Sequence, residues 1–249
     1  MNKSLWISLC AAFAIIGCDA KPTDATSTAT GTGEQTTGAT SGTQAVKPKL
    51  DEIPASIKHE AFEYYGLGNT KTMDVKLSGA QVSQQTGGVS VELEKIEGDK
   101  ASFKVVRTGA VGDSLGTDLV MVDKEGVHAT GNTMGKLTPA SYLALPADLT
   151  PGKTWNVKNK IEQSTGQQVE ENSVYKVEGI RDFKTKTGMQ KALLVTSTGD
   201  ASVTTGGSTQ KMKSTTKSWY LKGIGQVKTE ITFIIAGKPA NTITVEVSK

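Results

Sequence analysis

The chain has 249 residues, with 28 Lys+Arg against 25 Asp+Glu and a net charge of +3. So small an imbalance gives no strong pull toward polyanions. Only two of the basic residues, Arg107 and Arg181, carry the planar fork that phosphate and base recognition favours, so no nucleic-acid partner is expected.

Met1-Asn2-Lys3 is a short basic start, and Leu5 to Ile16 is an apolar run of twelve residues broken only by Ser8. A run of that length suits the hydrophobic core of an export signal and falls short of a membrane-spanning helix. It stops at Ile15-Ile16-Gly17-Cys18, and polarity rises at once with Asp19. These residues resemble the bacterial lipobox: an aliphatic residue at −3, a small residue at −1, then cysteine. The resemblance implies that residues 1–17 are a signal peptide, cut before Cys18. It also implies that the Cys18 thiol receives a diacylglyceryl group and that the new amino group is often acylated, commonly with palmitate. Cysteine usage agrees with this. Cys10 lies inside the signal, which leaves the mature chain one thiol, at its first residue, and no disulfide. Burial of acyl chains at about 0.8 kcal/mol per methylene makes two or more chains a stable anchor. The expected location is a bacterial cell envelope, lipid-anchored and facing the periplasm or the surface.

Residues 18–48 are expected to be the lipidated cysteine and a tether. Residues 19–48 contain no aromatic residue and no Leu, Ile or Met, and Thr23 to Thr43 alone hold nine threonines, two serines and four glycines. Such a stretch cannot bury enough apolar area to offset its ordering entropy, so disorder is expected.

Residues 49–249 are expected to fold as one β domain. Ala55 to Tyr65 places Ile57, Ala61 and Tyr65 four apart before Gly66, the pattern of a short amphipathic helix with a glycine cap. From about residue 70 the period is two. Val89, Val91 and Leu93 alternate with Ser90, Glu92 and Glu94. Trp155, Val157 and Ile161 alternate with Asn156, Lys158, Lys160 and Glu162. Val227, Ile231, Phe233 and Ile235 alternate with Lys228, Glu230 and Thr232, and Ile243, Val245 and Val247 with Thr244, Glu246 and Ser248. One apolar and one polar face mark antiparallel strands. Glu97-Gly98-Asp99, Lys124-Glu125-Gly126, Thr187-Gly188 and Lys222-Gly223-Ile224-Gly225 supply the turns. Leu137 to Leu149, with Pro139 and Pro146, reads as a connector with one helical turn. The expected fold is therefore all-β and mainly antiparallel, a curved sheet or half-barrel or a sandwich, with one or two short helices.

Three blocks recur in order. Lys71–Lys76 matches Lys153–Lys158, Lys100–Gly109 resembles Lys191–Gly199, and Gly126–Thr130 resembles Gly225–Thr229. They suggest two copies of one β unit, at 68–135 and 150–249. Tyr64-Tyr65-x-x-Gly-Asn-Thr, Leu149-Thr-Pro-Gly-Lys-Thr-Trp155 and Trp219-Tyr220-x-x-Gly-x-Gly-x-Val-Lys228 together resemble a group of uncharacterised bacterial lipoproteins. That resemblance implies a class and no activity. A more distant similarity, in strand pattern only, is to the half-barrel of periplasmic lipoprotein carriers.

Catalytic signals are weak. Gly112-Asp113-Ser114-Leu115 matches the string that names a family of serine hydrolases, but that family's C-terminal histidine has no counterpart after His128. The stretch reads as a turn. His59 and His128 lack Cys or acidic partners at metal-ligand spacing, so neither a metal nor a cofactor is expected. Glu170 and Glu171 fall on opposite faces of a strand. Trp155, Trp219, Tyr220 and Phe233 could line a concave pocket, although core packing needs the same residues. The reading that results is a non-enzymatic, membrane-anchored domain that binds an apolar ligand such as lipid, or an envelope protein. A scaffold subunit pairing through a sheet edge is the alternative, and a hydrolase using Ser114 the remote one.

Overall fold

The computed structural model describes residues 48–248 apart from 81, 164 and 237. The signal, Cys18 and all but the last residue of the expected tether lie outside the described residues. Thirteen strands follow one another: β1 (Met73–Gly79), β2 (Val82–Glu97), β3 (Lys100–Thr108), β4 (Asp118–Asp123), β5 (Gly126–Asn132), β6 (Gly135–Thr138), β7 (Tyr142–Pro146), β8 (Thr154–Gln163), β9 (Gln168–Thr185), β10 (Gly188–Thr205), β11 (Ser208–Leu221), β12 (Gly225–Ile234) and β13 (Asn241–Ser248). Two α-helices accompany them, α1 (Glu60–Tyr65) before β1 and α2 (Gly109–Leu115) between β3 and β4. No helix among the described residues is long and apolar enough to cross a membrane.

Every strand pairing is antiparallel, and the order β4-β3-β2-β1-β13-β12-β11-β10-β9-β8-β6-β5 returns through β5 to β4. The ring is a closed twelve-strand barrel. β7 stands outside it, paired with β5 at Gly126–Ala129, while β6 takes Asn132 on the same edge. This corrects the expectation of an open half-barrel or a sandwich. Alternation in the sequence reports which face is buried and cannot report whether the first and last strands of a meander meet. After closure the free sheet edges lie on β7 and on the ends of β9 and β10 that overrun their neighbours.

Two apolar clusters pack inside. One joins α1 to the barrel: Ile57, Ala61 and Phe62 meet Phe103, Val120 and Leu193, with Phe62 edge-on to Phe103 at 6.0 Å. The other holds Val111 and Leu115 of α2 against Leu77, Ile231, Phe233 and Ile243. The string around Ser114 is thus helix, contrary to the turn expected. Val111 and Leu115, four apart and both fully buried, supply the helical stripe. The expected connector at Leu137–Leu149 is instead β6 and β7, which share the edge of Gly126–Asn132 that β4 leaves open. The three recurring blocks fall on β1 and β8, on β3 and β10, and on β5 and β12.

α1 begins later than its sequence pattern. Residues Ala55–Ile57 form a single 3-10 turn, and the α-helix starts only at Glu60. His59 caps it. Its Nδ1 accepts from the Phe62 N–H at 3.2 Å, so the ring proton sits on Nε2 and is donated to the Asp123 carbonyl at 2.9 Å. At the other end Gly66 closes the helix in the left-handed region, φ +77. A Cβ at Gly66 would lie 2.5 Å from the Ile224 carbonyl oxygen, and the Gly223 N–H reaches Glu63 O at 2.9 Å. The helix end and the β11–β12 turn are therefore locked together.

Gly66→Ala should lose about 2 kcal/mol or more, from the left-handed backbone plus the clash. Gly152→Ala, at φ +91 with open space around it, should lose only about 1 kcal/mol. Urea midpoints compare the two, and equal losses would mean that the close approach at Gly66 carries no weight.

Candidate functional site

Nine strands and α1 contribute side chains to a cavity of about 140 Å³ at mid-barrel. Val75, Val89, Val91, Val105, Ile231 and Val245 give one aliphatic wall. Tyr65, Tyr142, Tyr175, Thr216, Ser218 and Gln226 give a polar one. Four of the chain's five tyrosines, Tyr220 included, therefore converge here. Burial pushes the phenols of Tyr65, Tyr175 and Tyr220 above their ordinary range, so they stay neutral. The charge present is paired. Arg107 Nη2 meets Asp118 Oδ2 at 2.5 Å with both side chains about one-tenth exposed, and Asn132 Nδ2 donates to the other carboxylate oxygen at 2.6 Å.

Beyond Tyr175 a polar band crosses the inward face of β8–β11 before Ile161, Val169, Ala201 and Met212 make it apolar again. Its buried rows carry Asn159, Glu171, Ser173, Ser197 and Ser214, and the hydroxyls of Ser197, Ser214 and Thr216 have no protein partner. Gly199 sits among them because Asn172 O and Ser173 Oγ come within 2.3 Å of where its Cβ would be. Glu171 is held by Asn159 Nδ2 and Tyr175 Oη, each at 3.1 Å. Desolvation pushes its carboxyl up to about 7. The Ser173, Asn159 and Tyr175 side chains beside it favour the charged form and limit the rise.

A second space lies outside the wall. β9 and β10 run 18 residues each, whereas β8 pairs with β9 only up to Lys176 and β11 pairs with β10 only from Leu193. The overhang is a two-stranded arm, kinked at its root by the register shift opposite Leu194/Val195, where Gly179 takes φ +89. The arm folds back over the barrel. Phe183 packs on Trp219 at 6.0 Å, joining Ala192, Leu221 and Val227, and Lys186 Nζ reaches Ser248 Oγ at 3.3 Å. Beneath it is a groove of about 440 Å³ with Phe183, Leu221, Ile224, Val227 and Val247 as its floor and Lys76, Lys184 and Lys186 at its rim. Groove and cavity share Met73, Ile224 and Val247. A wider, open depression of about 1200 Å³ is lined by residues of β8–β12, where Lys158, Lys160, Lys211 and Lys213 are mixed with Glu170 and Asp200 and with the buried Asn159 and Glu171.

The residues singled out from sequence scatter. Ser114 is buried on α2 and bonded to neither histidine in the contacts described. His128 Nε2 lies 3.0 Å from Asp123 Oδ1. The β4–β5 turn thus gives His128 the acidic neighbours, Asp123 and Glu125, that its sequence spacing did not suggest, with ligand atoms within 4.8 Å of one another. Burial works against the Asp123 charge, but the Glu125 N–H and His128 hold its carboxyl below the usual range, as expected of a turn closed by its own side chain. Glu170 is exposed and Glu171 buried, on opposite faces. Trp155 stacks on Tyr175 and donates to Leu143 O at 3.0 Å, Trp219 lies outside under Lys228, and Phe233 is core. Tyr220 alone of the four aromatics lines the cavity.

Sequence reasoning missed Glu171, Thr216, Arg107 and the arm. The position of Asn159 and Gln163 in the apolar alternation of β8, and of Thr216 and Ser218 in that of β11, was the available signal.

No protein-family model matches the chain, and no curated protein sequence does. A solved structure of an inferred lipoprotein from Parabacteroides distasonis shares the fold, with TM-score 0.50 and 14% identity over 74% of this chain and 98% of that one. The likeness is one of fold. An inferred exported protein of YmcC-like fold from Bacteroides fragilis gives 0.47 and 12%, over 73% and 96%. The hypothetical lipoprotein YmcC of Escherichia coli gives 0.31 and 9%, over 73% and 88%.

Because the folded pKa of Glu171 is raised from 4.5 to about 7, its stabilising effect is complete below pH 4.5 and is lost as pH rises to 7. The loss is on the order of 3 kcal/mol. Denaturation of wild type and Glu171→Gln from pH 4 to 8 should show the variant gaining on wild type across that window. A pH-independent difference would place the proton elsewhere.

Proposed function

We propose that this protein is an acyl-anchored lipoprotein of the bacterial envelope whose barrel binds an apolar or amphipathic ligand and is not a catalyst. Anchoring rests on the lipobox ending at Cys18, and the solved structures of related fold are themselves described as lipoproteins or exported proteins. The same reading takes residues 68–135 and 150–249 as two copies of one unit, supported by the three blocks that recur in order.

The groove under the β9–β10 arm carries the functional part. Its volume of about 440 Å³ falls in the usual range for small-molecule sites, while the interior cavity is too small for an acyl chain. An apolar floor beneath three lysines suits a ligand with a hydrocarbon body and an anionic head. Among the described residues Glu246 is the one acidic side chain on its lining. Against catalysis, Ser114 is enclosed in core, and both histidines are committed at Asp123.

A fluorescent polyene fatty acid should bind the delipidated protein saturably. Lys184→Glu with Lys186→Glu should weaken it by about tenfold or more at low salt and by less at high salt, and Phe183→Ser should weaken it at any salt. Binding indifferent to all three substitutions would remove the groove from the account. Separately, Cys18→Ser should shift the protein from the membrane fraction to the soluble one and abolish fatty-acid mass at the mature terminus. Retention at the membrane would end the anchoring claim.

A further inference from the structure

The interior cavity has a chemistry of its own, separate from the groove. At about 140 Å³ it approaches the ~150 Å³ apolar cavity known to accept benzene. Its aliphatic wall of Val75, Val89, Val91, Val105, Ile231 and Val245 offers no hydrogen-bonding side chain. Across from it, most hydroxyls are already engaged. Gln226 Nε2 donates to Ser218 Oγ at 3.2 Å and to Tyr220 Oη at 3.1 Å, and Tyr175 Oη donates to Glu171. Thr216 is different. It is 7% exposed, lines the cavity, and its Oγ1 has no partner in the protein. A buried hydroxyl in that state costs stability unless something in the cavity meets it.

Charge narrows the class further. Arg107 and Asp118 neutralise each other at 2.5 Å, with Gly116 O and Asn132 Nδ2 taking further valences, so the space presents no net charge to an occupant. We propose that this cavity is a second binding site, for a small uncharged molecule with an aromatic or branched aliphatic body of about six to eight heavy atoms and one hydroxyl, which pairs with Thr216 Oγ1. The site is independent of the groove and of the anchor. Met73, Ile224 and Val247, common to both spaces, are the wall through which the molecule passes.

Phenol and benzene are the probes. The detergent-solubilised full-length protein, observed by methyl NMR at Val91 and Val245, should show saturable shifts with each. Thr216→Val, nearly the same shape, should weaken phenol about five- to tenfold and leave benzene as tight or tighter. Lys184→Glu with Lys186→Glu should leave both titrations unchanged, which separates this site from the groove. Absence of saturable shifts at these methyls would overturn the proposal, since it leaves only a hydrated cavity. So would phenol affinity insensitive to Thr216→Val, or a phenol response that follows the lysine substitutions.

Discussion

Ring closure through the β4–β5 pairing is the constraint on which the rest depends. Asp118 to Asp123 accept β5 at Asn132 to Gly126, and with that contact the inward rows of twelve strands share one lumen. A side chain on an open sheet can turn its polar end to water. Inside a closed ring it must find a partner or a cavity. Arg107 shows the consequence. It leaves β3 beside the seam, where Asp118 begins β4 and Asn132 ends β5. The pair is tolerable in the interior because Gly116 O and Asn132 Nδ2 satisfy it further. Removing Asp118 alone would strand a guanidinium, so the seam and the ion pair stand or fall together.

Strand length sets the second feature. β9 and β10 overrun both neighbours, and an isolated two-stranded ribbon is marginal in water. The bend at Gly179 returns the ribbon to the barrel, where Phe183 buries against Trp219, Leu221 and Val227. The groove is the space left by that return. Its floor is apolar because the outer face of β11 and β12 at this end has exchanged its usual polar residues for Leu221 and Val227. The register shift at Trp219/Tyr220 brings Val227 into the outer cluster while Thr229 and Ile231 stay inside.

How much of this was legible follows from what periodicity encodes. The strands around Val89–Leu93, Trp155–Ile161 and Ile243–Val247 were read with the correct buried face, since a period of two is a local property. The half-barrel was not corrected by any local signal. Whether β5 meets β4 depends on summed twist and shear over twelve strands. α2 was hidden because Gly109, Gly112 and Gly116 look like loop punctuation, yet Gly112 is where Arg107 O approaches within 2.5 Å of a would-be Cβ, a packing requirement that a single sequence does not display. The polar lumen was partly legible. Asn159 and Glu171 occupy alternation positions that apolar residues hold elsewhere, and an acid in such a position signals either a strand error or an interior site.

The two spaces make physical sense as a pair because one wall serves both. Met73, Ile224 and Val247 close the cavity on its inner side and floor the groove on its outer side. Ile224 sits on the tight turn Lys222–Gly225, which is tied to α1 through Gly223 N–H to Glu63 O and Lys222 Nζ to Glu63 Oε2 at 2.8 Å, and to the loop after that helix through Asn69 Nδ2 to Ile224 O. The turn is therefore held through α1 and the loop that follows it, whereas the strand residues on either side are fixed by their ladders. A shift of Ile224 would move the lining of both spaces at once, and α1, locked to that turn at Gly66, would move with it.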